Sequence, residues 1–246
     1  MNNQLKAHKN PEVYKRVYSI VFMPFYALLR LYIRLDLKHL YEPIVHGSTL
    51  SDEEIQSIYN FRISCYENKS QHLIPVGSTE ISREIKFDRR AYHAIVRDKK
   101  GEIVAVSRYI PYQFEMCNLP IPKKIALGTY SNYLEISRLV TSKPGVGIGK
   151  RLLVHAGIWA ILDSMYDGFL AISRHNNTEF FSHFGLAKLA SFNIKTRPGS
   201  KYSLIKADFR LISKCTFKFF AMTKNPIYQL ALAVKIFSFS KFITRS

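Results

Sequence analysis

The stretch LEISRLVTSKPGVGIGKRLL, Leu134–Leu153, runs an alternating apolar segment into three glycines at alternate positions and then into an apolar, basic segment. Alternation over Leu134–Thr141 reads as a strand, and the apolar spacing after Ile148 reads as the start of a helix. Gly145, Gly147 and Gly149 therefore fall where a strand turns into a helix. Glycine at such a turn permits left-handed backbone and a close approach of main chain to a ligand. The first amides of a helix lack intrahelical acceptors and the helix dipole favours anions, so the turn can cradle phosphate oxygens. A dinucleotide fingerprint would add an acid about twenty residues on, at the end of the next strand. Here only Asp163 and Asp167 follow, inside a helix expected to stop at Gly168, so the dinucleotide motif falls.

Outward from that unit, Thr49 to Asp208 reads as one α/β domain. Residues 49–68 open with polar capping residues and acids, then place Ile55, Ile58, Tyr59, Ile63 and Tyr66 at helical spacing. Residues 69–90 read as a long mixed loop. Two β-rich runs joined by Asp98-Lys99-Lys100-Gly101 give a hairpin. After the glycine turn come a helix striped by Leu152, Ala156, Trp159 and Leu162, a buried-type strand FLAISRH, a short helix, and a hairpin turning at Pro198-Gly199. The expected domains are 1–48, an apolar and basic helical extension; 49–210, the α/β domain; and 211–246, a basic amphipathic helical extension.

Length and composition bound the partners. The chain has 246 residues, 47% of them hydrophobic, which allows a sizeable core. Cys65, Cys117 and Cys215 show no CxxC or Cys/His spacing, which argues against a disulfide framework or a zinc site and fits a reducing cytoplasm. No metal-ligand set is assigned. The formal net charge is +18, and the excess is concentrated at the ends. Lys195 to Arg245 carries eleven Lys/Arg against Asp208 alone, and the first forty residues carry seven against two acids. Basic ends suit an acidic partner: a carrier protein, an anionic membrane surface or nucleic acid. The apolar run Tyr18–Leu29 is broken by Pro24 and closed by Arg30, shorter than the roughly 20 residues a span needs. Both terminal segments can either lie in a membrane interface or cap the core. Cytoplasmic placement, with peripheral contact on the inner face of the membrane, is the expectation. Zinc-finger spacing, RNA-recognition aromatics and a recognition helix are all missing, which weakens nucleic-acid binding.

The glycine turn resembles the Arg/Gln-x-x-Gly-x-Gly/Ala signature of the GNAT superfamily of acyl-CoA-dependent N-acyltransferases, matching at Gly147 and Gly149, with Pro144 where Arg or Gln is usual. AISRHNNTEFFSHFGL resembles the superfamily's fifth strand, Asn-containing turn and short helix, with Phe181 where a catalytic tyrosine often sits. Within the superfamily, LEISRLVT resembles the Glu-x-Ser-Arg element of acyl-homoserine-lactone synthases and long-chain N-acyl amino acid synthases. YNFRISCYEN, FDRRAYHAIV and VAVSRYIPY resemble their further elements, carrying Arg62 with Tyr66, Asp88 and Arg108. The early loop has no tryptophan and the glycine turn is clear, which favours the acyl-amino-acid or acyl-amine branch over lactone formation. The resemblance implies a mixed, mostly antiparallel sheet flanked by helices. It also implies acyl-CoA or phosphopantetheine-bearing acyl carrier protein as co-substrate, no resident cofactor, and a small amine or amino acid as acceptor.

Acyl transfer from a thioester to an amine needs a deprotonated amine, a polarised carbonyl and a protonated leaving thiol. By resemblance Glu135 orients or deprotonates the amine, and Arg138 binds a substrate carboxylate or holds the loop network. The two lie three residues apart on one strand, so they share a cleft only across a bulge. The alternative pairs Glu135 with Arg138 or Arg108 as a structural ion pair. His175 is a secondary candidate for proton transfer. Arg62, Asp88, Arg108 and Ser137 are candidate substrate-binding residues. Ser137 lacks a nucleophile elbow, which argues against covalent catalysis. Leu139, Val140, Gly145, Val146, Gly147, Ile148, Gly149 and Lys150 are the candidate donor-binding residues. A non-catalytic acyl-carrier or lipid-binding module on a degenerate scaffold, or a basic nucleic-acid-binding protein, are the alternatives.

Overall fold

The computed structural model describes residues 38–67, 71–119, 121, 125–142, 147–182, 186–194 and 201–208, together with Met23, Ala27, Arg30 and Ile33. Pro144, Gly145, Val146, His183, the Pro198-Gly199 turn and the segment 211–246 lie outside the described residues.

Among the described residues, eight strands make one sheet: β1 His39–Tyr41, β2 Val45–His46, β3 Tyr92–Asp98, β4 Ile103–Ile110, β5 Tyr133–Thr141, β6 Gly168–Arg174, β7 Ala187–Asn193 and β8 Lys201–Asp208. Their order is β1-β3-β4-β5-β6-β8-β7, with β2 also on β3. Only β5 and β6 run parallel; all other pairs are antiparallel. The sheet thus begins inside the segment 1–48, so that segment is not a purely helical extension.

The helices with described bounds that flank it are α1 Asp52–Glu67, α2 Ser78–Arg90, α3 Ile148–Leu162 and α4 Thr178–Ser182. A capping box starts α1, with the Ser51 amide donating to the Glu54 carboxylate at 2.8 Å and the Glu54 amide to Ser51 Oγ at 3.2 Å. α2 corrects the reading of residues 69–90 as loop. It follows Gly77, whose φ is 82°, and it buries Glu84, Phe87 and Asp88. Polar residues on its inner face hid its helical periodicity. α3 ends at Leu162, not at Gly168. Gly168 instead opens β6, where a Cβ would lie 2.0 Å from the Ala207 carbonyl oxygen.

Strand alternation sorts the core into two layers. Ala94, Val96, Tyr109, Leu134, Ile136, Phe169, Ala171 and Ile205 pack under α3 with Leu152 and Ala156. On the other face Ile58 of α1 packs on Ile95 and Val106, and Phe87 of α2 on Ile110. Ile33 is buried in the first layer and Arg30 pairs with Asp163.

Candidate active site

Parallel pairing of β5 with β6 runs only from Tyr133↔Gly168 to Ile136↔Ala171. Beyond it β5 stays with β4 and β6 with β8, so the strands part and open a cleft of about 430 Å³. Glu135, Ser137, Arg138, Leu139 and Val140 line one side, Ser173 and Arg174 the other, with Tyr66 of α1 and Phe181 of α4 at its margins.

A bulge sets what enters the cleft. Against β4, Val140 pairs with Val106 but Ser137 pairs with Arg108, so β5 spends one more residue than its partner. Arg138 is that residue, in left-handed backbone with φ 54°. Leu139 then packs under α3 while Val140 packs with Ile58, the reverse of uninterrupted alternation. The extra residue puts Arg138 on the same face as Glu135.

Behind the cleft lies a cluster of three arginines and three acids, drawn from α1, α2, β4, β5 and the 3-10 turn Glu115–Asn118. Arg62 grips Asp88 with both terminal nitrogens, at 2.6 and 2.5 Å. Arg108 reaches Asp88 at 2.9 Å, Glu84 at 3.0 Å and Glu115 at 2.6 Å, and donates from Nε to Ser137 Oγ at 3.1 Å. Arg138 donates to Glu84 and, at 2.5 Å, to Glu115. Burial works against the charge on Asp88, but its hydrogen bonds from Arg62 and the charges of Arg108 and Arg62 hold its carboxyl down at about 2. The Asp88 carbonyl meets His93 Nε2 at 2.8 Å, and burial lowers that imidazole to about 4.

Glu135 stands apart from these matched charges. It is buried and makes no ion pair among the described residues; its carboxylate accepts from the Met116 amide at 3.2 Å. Burial, reinforced by the charge of Glu115, pushes its carboxyl up to about 8. A carboxyl poised near neutrality at the floor of a cleft is suited to proton transfer.

Solved structures share this architecture. FeeM, an N-acyl amino acid synthase from uncultured soil microbes, matches with a TM-score of 0.53 at 11% identity, over 70% of this chain and 92% of its own. TofI, solved in a ternary complex with an inhibitor and MTA, matches with a TM-score of 0.52 at 13% identity, over 73% of this chain and 96% of its own. The fold is that of the GNAT acyltransferases. No protein-family model matches the sequence, and no curated protein does.

On this GNAT scaffold the residues singled out in the sequence separate into three groups. Glu135, Ser137, Arg138, Leu139 and Val140 meet at the cleft. Arg62, Asp88 and Arg108, expected to bind substrate, do not line it; at 2%, 0% and 1% exposure they lie sealed behind it. His175 is also off the cleft lining, with Nδ1 at 3.1 Å from Ser203 Oγ, so its place supports a structural role. At the glycine turn, Gly147 caps α3 in left-handed backbone, φ 81°, with no atom within 4 Å of a would-be Cβ. A Cβ on Gly149 would touch Thr141 Cγ2 at 3.4 Å. The Ile148 side chain is buried in the core under α3, which leaves only its main chain to face a donor, while Lys150 stays exposed. The sequence reading missed Glu84 and Glu115, the two acids that hold Arg138. Glu84 gave no signal because its segment read as loop, where helical spacing does not apply.

Proposed function

We propose that this chain moves a long-chain acyl group from the thioester of acyl carrier protein or CoA to the amine of an amino acid or related small amine, by direct attack. The observation that carries the reading is Glu135: a buried carboxyl raised to about 8, at the point where β5 leaves β6. The donor's amide-bearing arm suits the edge of β5 left unpaired beyond Ile136, with its phosphates toward the amides that open α3 at Gly147. Exposed Lys150 beside that turn suits the acidic surface of a carrier protein.

In the reaction, the acceptor nitrogen forms a bond to the thioester carbon and the carbon–sulfur bond breaks. Glu135, as carboxylate, takes the proton released by the attacking nitrogen. A free thiol has a pKa of about 8.5, so the protonated Glu135 can return that proton to the departing thiolate. Phe181 at the cleft margin has no proton to give, and this relay does not need one. Arg138, with Glu84 and Glu115 already on it, fixes the bulge and the field at Glu135. Arg174, exposed at the rim and without an acidic partner among the described residues, suits an acceptor carboxylate.

Mass spectrometry of lipid extracts from cells expressing the protein tests the reading. An N-acylated amine absent from cells expressing Glu135→Gln supports it; identical extracts from both would overturn it.

A further inference from the structure

The Glu115–Asn118 turn has a cleft on each side. Glu115 and Leu119 line the one already described, while Phe114, Cys117 and Asn118 line a second, of about 420 Å³. Arg83, Lys86 and Arg90, spaced three and four along α2, share one helix face and line that second cleft. Arg90 Nη2 donates to the Tyr112 carbonyl at 3.0 Å. Arg83 and Lys86 have no hydrogen bond or ion pair among the described residues, and no carboxylate lines the cleft. In the first cleft, by comparison, Arg138 is matched by two acids and Arg174 at the rim is the lining arginine without one among the described residues. The exposed aromatic surface is Tyr112, 42% exposed and set edge-on at 5.5 Å to Phe114, which with Phe87 is buried beneath it.

Uncompensated cations beside an aromatic wall select for a particular ligand chemistry. An anionic head satisfies the guanidinium and ammonium groups, and an apolar or aromatic body covers the exposed Tyr112 ring. An acidic protein is the poorer fit. A stable protein interface buries about 800 Å² on each partner, whereas these cations converge on a recess instead of spreading over a face. We propose that this second cleft binds a small amphipathic organic anion, its carboxylate or phosphate head held by Arg83, Lys86 and Arg90.

Calorimetric titration of the full chain at low salt with phenyl phosphate and with 3-phenylpropionate tests this, with inorganic phosphate and benzyl alcohol as head-only and body-only controls. Saturable binding of either amphipathic anion is expected, about tenfold or more tighter than both controls; the tighter of the two identifies the head group. Arg83→Ser with Lys86→Ser, both at exposed positions, is expected to weaken it about tenfold or more without shifting the melting temperature. Cys117 is exposed on this cleft and Cys65 lines the other, so thiol alkylation followed by peptide mass spectrometry reports the place. Ligand should slow alkylation of Cys117 and leave Cys65 unchanged. The proposal is overturned by absence of saturable binding, by equal affinity in the double variant, by protection of Cys65 alone, or by an acidic protein binding where neither small anion does.

Discussion

Glu135 and Arg138 sit three residues apart on β5 and line the same cleft, an arrangement a regular strand forbids. The left-handed backbone of Arg138, φ 54°, supplies the missing half-turn. A non-glycine residue in that region costs about 1 kcal/mol or more, offset here by ion pairs to Glu84 and Glu115. The strain is stored next to the group proposed to move the proton.

Glu84→Gln should therefore disturb chemistry more than folding. Arg138 and Arg108 each lose one acid but both keep Glu115, and Arg108 keeps Asp88, so the bulge loosens without a fully unpaired buried charge. Acyl transfer should fall by about tenfold, chiefly in kcat, and Glu84→Asp should recover part of it. Steady-state thiol release measures both. A change confined to KM would instead assign Glu84 to substrate binding.

Asp88→Asn should act on stability. It leaves Arg62 and Arg108 sealed in the protein without their shared acid, and breaking a buried pair costs about 3–5 kcal/mol. The melting temperature should drop by about 10 °C. The pH dependence carries the same signature. Because the Asp88 carboxyl is held at about 2 when folded, below its ordinary 3.8, its contribution is complete above 3.8 and is lost as pH falls through about 2. Acid unfolding of Asp88→Asn should lack that limb.

Glu135 titrates with the opposite sign. Its folded value of about 8 lies above the ordinary 4.5, so it costs stability increasingly as pH rises from 4.5 to 8. The slope from this one group is at most about 1.4 kcal/mol per pH unit. Chemical denaturation of wild type and Glu135→Gln across that window should show the variant gaining on the wild type as pH rises. Parallel curves would mean that Glu135 is already ionised at neutral pH.

Two glycines separate backbone need from space. Gly147→Ala meets no atom within 4 Å but must hold φ at 81°, which costs about 1 kcal/mol. Gly168→Ala would drive a methyl to within 2.0 Å of the Ala207 carbonyl oxygen, pushing β6 from β8, and should cost more than 3 kcal/mol. Thermal melts rank the pair, and the reverse order would contradict the strand register.

Much of the fold was legible because its punctuation is local. Asp98-Lys99-Lys100-Gly101 builds the expected β3–β4 turn, with Gly101 at φ 83° and the Gly101 amide donating to the Asp98 carbonyl at 3.1 Å. Gly147 starts α3 where the glycine spacing placed it. α2 was not legible, because its inner face carries Glu84 and Asp88 where periodicity looks for apolar side chains. The same acids explain why Arg62 and Arg108 read as ligand-binding residues. A charged residue in a sequence looks exposed until its partners, here up to 26 positions away for Arg62 and Asp88, are brought to it by the fold. The bulge at Arg138 has no sequence signal of its own, since left-handed backbone is ordinarily marked by Gly or Asn.

The central claim is that Glu135 moves the proton in an acyl transfer at the β5–β6 cleft. The direct measurement is thiol release from long-chain acyl carrier protein or acyl-CoA with a panel of amino acids, for wild type and Glu135→Gln, from pH 6 to 9.5. Wild-type kcat/KM should rise through about 8, as the carboxylate form appears, and the variant should be slower by about a hundredfold with that limb gone. Equal rates and the same pH profile in both proteins would contradict the account.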